Sequence, residues 1–486
     1  MIITSKLSEE EALALRGRSE GQSLFVERDD NAVLERLLKE SESVPQGERH
    51  DCYLVLNDAT TLWMMQTVGL PDSVREKFDV VAVTMEDLLA KALLVKLPNI
   101  PTAFPSLDRA VVSLQSNSTV HLLIFGFSAQ AEALAINAAL VAHYPNYCRD
   151  TRLRTRITII DETILSKTRE FMQRYCHLFD NSYYRVINLA DANPTAVVHS
   201  PMYADSRKDF VDVEWEFVDG CMSNTAVRRK LAEWSSSDTQ QLTIAMCHNE
   251  HQRNLNEALA LPDEVYMSDT AVLCHFDRSR MLEFARADHR YANLYSFGRE
   301  LCDIEVLRQL KALAKRVNYV YNHCFSLGED EPMCAPSDID LEKMERLWCE
   351  VKSMPKIYSN LFNAMTLGTK MHSLGHNSDD WAAYYALSKD EIDILTEVEH
   401  NRWSTEELIL GYRPTADDEQ QQIERDMDLP LSEQKDLKRA MRAHKIHYDL
   451  RSYDDLRKDA TGKNVNVYDR VLTQGIPLIV KSCITD

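Results

Sequence analysis

The sequence lacks the long apolar runs of membrane-spanning helices. No stretch of about 18 consecutive apolar residues occurs in the chain. The first residues, Met-Ile-Ile-Thr-Ser-Lys, are soon followed by acidic residues and have no apolar core of a signal peptide. We therefore expect a cytoplasmic protein that does not insert into a membrane.

Paired cysteines and basic runs are also missing. The 11 cysteines lie singly, without a Cys-x-x-Cys pair, which favours reduced thiols over a disulfide framework. The 55 Lys and Arg residues against 76 Asp and Glu give a net charge of -21. Such a surface repels phosphate backbones, and no basic run is long enough to offset it, so we expect no nucleic-acid partner.

The common catalytic motifs are absent as well. There is no Gly-x-Ser-x-Gly turn, Walker loop or metal-protease helix, so nucleophilic, phosphoryl-transfer and zinc-hydrolase mechanisms have no support. Cys247, His248 and His251 offer three ligands where a closed zinc site needs four. We expect no metal site, and we interpret His372 and His376 as structural. These absences favour a role other than catalysis.

The length of 486 residues predicts more than one domain. In residues 1–118, apolar runs at 24–26, 52–56 and 78–83 alternate with helix-like segments, which predicts an N-terminal parallel α/β domain. Residues 119–300 repeat this pattern with candidate strands at 120–125, 156–160, 184–189, 212–218, 241–246 and 270–275. Six strands with crossover helices predict a central doubly wound domain.

From residue 301 the pattern is mainly helical and weakly duplicated. Residues 313–321 resemble residues 395–403 in spacing, and each segment is followed by an aromatic-x-x-aliphatic step and an asparagine. Two related helical modules, 301–380 and 381–486, are the simplest explanation. A highly charged insertion at 414–446 in the second module is typical of a solvated helix and loop.

The turn after the strand at 120–125 carries an altered dinucleotide-binding signature. Gly126, Ser128 and Ala131 stand where three glycines allow a tight bend, close approach of a pyrophosphate and packing of the helix on the strand. Ser128 adds a Cβ at the closest approach, although its hydroxyl could cap the helix or bind an anion. Glu132 in the first helical turn would repel a phosphate unless it points away.

Asp161 ends the next candidate strand, where an acid binds the ribose hydroxyls of an adenosine. Four arginines in the segment 145–156, at positions 149, 152, 154 and 156, either reach an anionic ligand or keep a surface loop soluble. The turn itself either binds a nucleotide or serves only for packing. The pattern of strand, helix, strand and acid predicts a Rossmann-like fold in both cases.

The segment 120–161, followed by Phe217-Val-Asp219-Gly220 and Cys247-His-Asn249-Glu, resembles the TrkA-N (RCK, or KTN) nucleotide-binding domain of potassium-transport regulators. The resemblance covers roughly residues 119–280. It implies that Gly126, Phe127, Ser128, Ala131, Asp161, Asp219 and Asn249 surround NAD, ADP-ribose, ATP or another adenine nucleotide. It also implies a homodimer. That family switches membrane channels, whereas this chain has no membrane segment.

Residues 395–480 resemble the RyR domain, a helical module repeated in ryanodine receptors and found alone in bacterial proteins. The matching residues are Glu399-His400-Asn-Arg-Trp403, Gly411-Tyr412, His447-Tyr448, Tyr453-x-x-Leu456 and Asn464, and residues 313–375 look like a degenerate first copy. We expect His400, Trp403, Tyr412, Tyr448, Tyr453 and Asn464 either to line a pocket for a flat ligand or to form an amphipathic core.

These observations favour a ligand-responsive regulator in which a bound adenine nucleotide changes how the RyR-like modules meet a ligand or an unknown protein partner. One alternative is an assembly protein with a vestigial Rossmann-like domain. An NAD-dependent oxidoreductase is another, but the sequence identifies neither a proton donor nor a substrate cleft. A sensor of nucleotide signals in a bacterial stress or antiviral pathway is a further alternative.

Overall fold

The computed structural model describes residues 1–5, 7, 15, 23–98, 100, 104–189, 195–201, 209–277, 280–327, 334–376, 386–426, 429–456 and 467–481. Within these residues the chain is a mixed α/β protein. Two largely parallel sheets come first along the chain, and packed helices follow.

The first sheet has four parallel strands in the order β2-β1-β3-β4. The strands are β1 Ile2–Ser5, β2 Leu24–Glu27, β3 His50–Leu56 and β4 Phe78–Thr84, and the helices are α1 Asp30–Ser43, α2 Ala59–Thr67, α3 Asp72–Arg75 and α4 Met85–Leu94. Strand β4 is buried along its whole length. Helices α1, α2 and α4 each begin after a side-chain cap, from Asp29, Asp58 and Thr84 respectively, that accepts a backbone N–H of the first turn.

The second sheet has eight strands in the order β12-β11-β10-β5-β6-β9-β7-β8. The strands are β5 Thr119–Phe125, β6 Thr155–Asp161, β7 Tyr184–Asn188, β8 Thr195–His199, β9 Val213–Asp219, β10 Gln240–Met246, β11 Ala271–His275 and β12 Leu294–Phe297. All neighbouring strands are parallel except the β7–β8 hairpin at one edge. Without the hairpin, six strands remain, and we number them 1 to 6 along the chain from β5 to β12. Read from the β9 side, their order in the sheet is 3-2-1-4-5-6, as in doubly wound dinucleotide-binding sheets.

Helices connect or flank these strands. They are α5 Ala129–Val141, α6 Asn146–Arg149, α7 Ile164–Arg174, α8 Cys176–Asp180, α9 Thr225–Ser235, α10 His251–Leu259, α11 Asp263–Met267 and α12 Arg280–Ala287. Helix α5 is rich in alanine and buries most of its residues, since it packs between β5 and β6 on one side and α4 of the first sheet on the other.

Helices dominate from residue 304 onward, as the sequence predicts. They are α13 Ile304–His323, α14 Leu341–Cys349, α15 Met354–Met365, α16 Leu367–Ser373, α17 Lys389–Ile409, α18 Asp417–Asp426, α19 Leu431–Ala443, α20 Val467–Gln474 and α21 Ile476–Lys481. A short pair of strands, β13 Arg413–Pro414 and β14 Ile446–His447, closes the charged insertion. The two segments with matched spacing lie on α13 and α17, and each of these helices packs on a later helix, α15 and α20 respectively.

Side-chain hydrogen bonds connect the helical part of the chain to the first sheet. The indole of Trp348 donates to Asp79 on β4 at 2.8 Å, and the indole of Trp63 on α2 donates to the carbonyl of Ile409 at 2.9 Å. The hydroxyl of Tyr358 bonds to both backbone groups of Ala82. The two sheets and the helices therefore share one continuous core.

A buried ionic network lies on α17. Both terminal nitrogens of Arg402 bind acids of the same helix, Glu399 and Glu406, and Lys370 of α16 also binds Glu399. Burial raises the pKa of Glu399, but Arg402 and Lys370 outweigh it and lower the pKa to about 2. The positive and negative groups stabilise each other where water cannot reach, which fixes how α16 and α17 pack.

Candidate nucleotide-binding crevice and aromatic cluster

The crevice at the carboxyl ends of β5 and β10 is where doubly wound sheets bind their ligands. Gly126 follows β5 with φ +83°, in the left-handed region, and its N–H donates to the carbonyl of Ile160 at 2.9 Å. A Cβ at Gly126 would lie 2.6 Å from Nδ1 of His248, which follows β10. Glycine is therefore required here both for the backbone conformation and for the close approach of the two loops.

Asp161 is buried at the end of β6 and is engaged by its own chain. Its Oδ2 accepts the N–H of Phe127 at 2.8 Å and Nζ of Lys167 at 2.9 Å, and its Oδ1 accepts the N–H and the hydroxyl of Thr163. Burial opposes ionisation, but these hydrogen bonds outweigh it and lower the pKa of Asp161 to about 2. The acid that the sequence assigns to a ribose is thus an ionised acceptor that tethers the glycine turn.

The first turn of α5 is arranged as one of the sequence alternatives predicts. The hydroxyl of Ser128 caps the helix by accepting the N–H of Ala131 at 3.3 Å. Glu132 forms an ion pair with Arg174 of α7. Burial raises the pKa of Glu132 and outweighs the opposite effect of that arginine. The ring of Phe127 packs edge-on against Phe171 at 5.3 Å. The carboxylate of Glu132 is therefore neutralised by a neighbour in the folded chain.

The other predicted crevice residues lie on neighbouring strand ends. Asp219 ends β9 and pairs in register with Asp161 on β6. Asn249 is exposed in the loop after β10, next to His248, whose Nε2 lies 2.9 Å from Glu257. The structure thus gathers Gly126, Asp161, Asp219 and Asn249 at one edge of the second sheet.

The four arginines of the segment 145–156, the last of which lies on β6, pair with their own chain. Arg154 binds Asp209, Arg156 binds Glu214 at 2.6 Å and Arg152 binds Asp150 at 2.8 Å. Arg149 donates to the carbonyl of Ser116 at 3.0 Å. These contacts stabilise the strand and its preceding loop.

The RyR-like residues gather around a ring that the sequence argument did not single out as a pocket residue, His447. Trp403 meets His447 edge-on at 4.8 Å, Tyr448 stacks on it at 5.3 Å and Tyr412 lies 6.2 Å away. His400 lies 5.7 Å from Trp403 and 5.9 Å from Tyr453. We call His400, Trp403, Tyr412, His447, Tyr448 and Tyr453 the aromatic cluster; Asn464 lies outside the described residues.

The two histidines of the aromatic cluster carry opposite preferences for a proton. Burial disfavours charge on His400, but Asp469 at 3.3 Å and the carbonyl of Arg451 at 2.7 Å outweigh it and raise its pKa. Burial, together with nearby Arg442, holds the pKa of His447 well below its ordinary value. The cluster thus contains one buried histidine that favours a proton and one that disfavours it.

The outer side of the cluster carries cations. Nζ of Lys438 lies 4.4 Å from the ring centre of Tyr448, and Nζ of Lys445 lies 4.3 Å from that of Tyr412. Arg442 donates to the hydroxyl of Tyr448 at 3.4 Å. The charged insertion, which the sequence interpretation treats as a solvated helix and loop, therefore places cations over aromatic rings.

Three further rings lie beside this cationic face. Tyr321, Phe325 and Tyr468 contact one another with centroids 5.5 to 5.9 Å apart, and Arg442 interacts electrostatically with Tyr321. We call these three rings the outer aromatic surface. Tyr321 is 37% and Phe325 61% exposed. The sequence reasoning missed this surface: Tyr321 lies near the end of α13, and Phe325 lies in the short turn that follows it.

Comparison of the chain with protein-family models, curated proteins and solved structures returns no match. The TrkA-N and RyR resemblances therefore remain resemblances of residue pattern.

The described part of the chain contains no group of three or more His, Cys, Asp or Glu side chains arranged to hold a metal ion. No helix among the described residues is both long and apolar enough to cross a membrane.

Proposed function

We propose that this protein is a nucleotide-responsive regulator whose crevice at Gly126 takes an adenine-containing nucleotide such as NAD, ADP-ribose or ATP. The observation that carries the proposal is the placement of a left-handed glycine turn and an ionised acid, Asp161, side by side at the switch point of a 3-2-1-4-5-6 sheet. Sheets of this order bind ligands at that point.

The residues of the crevice fit such a ligand. Asp161 would accept a ribose hydroxyl in place of the Phe127 N–H, which would then be free to donate to a phosphate oxygen. The hydroxyl of Ser128 would donate to the same phosphate, and Asp219 and Asn249 would border the opposite side. Glu132 does not oppose this arrangement because Arg174 neutralises it.

The helical modules would carry the response. The aromatic cluster and the outer aromatic surface together present flat rings next to Lys438 and Arg442, a combination suited to an anionic aromatic ligand or to an acidic partner segment. In this proposal the modules are the RyR-like readers, and the Rossmann-like domain is the sensor.

Calorimetric titration of the full chain with NAD, ADP-ribose, ATP and ADP tests the proposal. We expect saturable binding of at least one ligand. Asp161→Asn should weaken it by roughly 10- to 100-fold, because a hydrogen bond to a charged group contributes about 1.5–3 kcal/mol. Glu162→Gln is the matched control, since this neighbouring acid is exposed. The proposal is contradicted if no ligand gives a binding heat, or if Asp161→Asn binds with unchanged affinity.

Ser128→Gly adds a positive test. It removes the Cβ that crowds a phosphate and costs only a few tenths of a kcal/mol as a helix cap, so nucleotide affinity should rise. Tyr448→Ala should leave the affinity unchanged. If Tyr448→Ala abolishes binding instead, the nucleotide binds at the aromatic cluster and the crevice assignment is wrong.

A second candidate function is an assembly protein whose central fold serves for packing. It is favoured by the side chain of Phe127, which is only 8% exposed and packs on Phe171. Native mass spectrometry of freshly purified protein separates the two candidates. A stable oligomer that carries no nucleotide, and that gives no binding heat in the calorimetric titration, supports the assembly function. A co-purifying adenine nucleotide supports the regulator.

A further inference from the structure

A cavity of about 50 Å³ lies between the first sheet, helix α5 and the helical part of the chain. Its wall does not include Gly126, Phe127, Ser128 or Asp161. Its polar and aromatic lining includes Trp63, Gln66, Glu86, Asp87, Glu132 and Tyr175.

The position of the cavity in the fold is typical of a binding site. Asn57 follows β3 and Thr84 ends β4, so the cavity opens at the carboxyl ends of two parallel strands. Ligands of open parallel sheets bind at this edge, and junctions between structural units favour pockets. Helix α5 covers the opening, and Phe362 and Ile409 close it from the helical side.

Two buried polar side chains in the wall have hydrogen-bonding capacity that the described residues leave unused. Asp87 is 8% exposed, and its Oδ1 accepts Nζ of Lys91 at 2.6 Å and the amide of Asn137 at 2.8 Å. Its Oδ2 is buried and accepts no hydrogen bond from the described residues. The amide of Gln66, also 8% exposed, has no hydrogen bond to the described residues either. Buried polar groups are rarely left unpaired, so these two groups call for a hydrogen-bonding occupant.

The charge of the wall defines that occupant. Among the described residues, three carboxylates line the cavity and no lysine or arginine does. Lys91 neutralises Asp87 and Arg174 neutralises Glu132 from outside the wall, while the half-buried Glu86 has no ion pair among the described residues. One negative charge is therefore left over, and the rings of Trp63 and Tyr175 provide surfaces that favour a cation.

We propose that this cavity binds the ammonium group of a small aliphatic amine. The ammonium donates to Oδ2 of Asp87 and to the amide oxygen of Gln66, and Glu86 balances its charge. The volume suits a ligand portion of a few heavy atoms, which excludes a nucleotide. The site is distinct from the crevice, although both border the first turn of α5, and it draws on all three parts of the chain, so its ligand would hold those parts together.

Thermal unfolding of the full chain with methylammonium, ethylammonium or ethanolammonium chloride tests the proposal, with sodium chloride at the same ionic strength and ethanol as controls. At least one ammonium ion should raise the melting temperature saturably, and neither control should do so. Asp87→Asn and Glu86→Gln should each weaken the apparent affinity at least tenfold. Glu76→Gln, an exposed acid of the same domain outside the wall, should leave it unchanged.

Three outcomes would overturn the assignment: an equal shift with ethanol, no shift with any ammonium ion, or full affinity in Glu86→Gln. The last variant removes no contact seen in the folded chain, so it remains informative if Asp87→Asn fails to fold. Nucleotide binding at the crevice should be the same in Glu86→Gln as in the native protein, which separates failure of this site from failure of the proposed function.

Discussion

The hydroxyl of Tyr358 donates to the carbonyl of Ala82 and accepts the N–H of the same residue, each at 2.9 Å. Ala82 lies on β4, the edge strand of the first sheet. A helix side chain therefore occupies the hydrogen-bonding position that a further strand would take. The contact satisfies the backbone groups of Ala82 on the buried edge strand and fixes α15 against it.

Tyr358→Phe should lower the free energy of unfolding by about 1–3 kcal/mol, because the N–H and carbonyl of Ala82 lose their buried partner. Tyr53→Phe is the matched control in the same sheet. The hydroxyl of Tyr53 is buried and has no hydrogen-bond partner among the described residues, so its removal should be neutral or stabilising. Urea unfolding of both variants checks the difference, and equal losses would show that the Ala82 contact contributes little.

Gly126→Ala should destabilise the fold more than Gly47→Ala. Both glycines have positive φ, +83° and +91°, so both substitutions incur a backbone penalty of about 1–3 kcal/mol. Only at Gly126 does the new Cβ also meet His248, at 2.6 Å, whereas nothing lies within 4 Å of it at Gly47. The difference between the two unfolding free energies measures how tightly the loops after β5 and β10 are packed. Equal values would mean that the His248 loop moves freely.

Asp161 should make stability depend on pH in the acid range. Its pKa is lowered to about 2 in the folded protein, against roughly 3.9 for an unfolded chain. The stabilisation is therefore complete above about pH 4 and is lost as the pH falls toward 2. It amounts to about 2 kcal/mol. The difference in unfolding free energy between the native protein and Asp161→Asn should be larger at pH 7 than at pH 3, while Glu162→Gln should show no such trend.

Lys370→Met should cost about 3 kcal/mol or more, because it leaves Glu399 buried with less compensation. Lys315→Met removes one partner of a more exposed pair with Glu345 and should cost less than about 1 kcal/mol. Denaturant unfolding at two salt concentrations checks both values. Comparable costs would indicate that water reaches the network on α17.

The continuous apolar runs predicted the strands well, because strands buried on both faces need no polar alternation. Strands β3, β4, β5, β6 and β10 all coincide with predicted runs. Strand β1, Ile2–Ser5, was missed although it lies in the middle of the first sheet and is fully buried. Four residues are too few to show a period. Strand β7 coincides with the predicted strand at 184–189, whereas its hairpin partner β8, which is mostly exposed, was missed.

The crevice could be predicted because Gly126 and Asp161 belong to one strand-helix-strand unit, in which chain order fixes spatial order. The outer aromatic surface could not, since Phe325 and Tyr468 are brought together only by the packing of distant helices. The cavity was beyond sequence reasoning for the same reason, since its wall runs from Asn57 to Ile409. Such sites depend on tertiary packing and leave no local pattern.

Helix α17 has 21 residues and is about 30 Å long. Its last residue, Ile409, borders the cavity, and its middle carries His400 and Trp403 of the aromatic cluster. The buried ion pairs of Arg402 stiffen the segment of α17 that connects the cavity to the aromatic cluster. If a ligand at the cavity shifts α17 so that affinity at the aromatic rings changes, binding at the rings must change affinity at the cavity by the same factor.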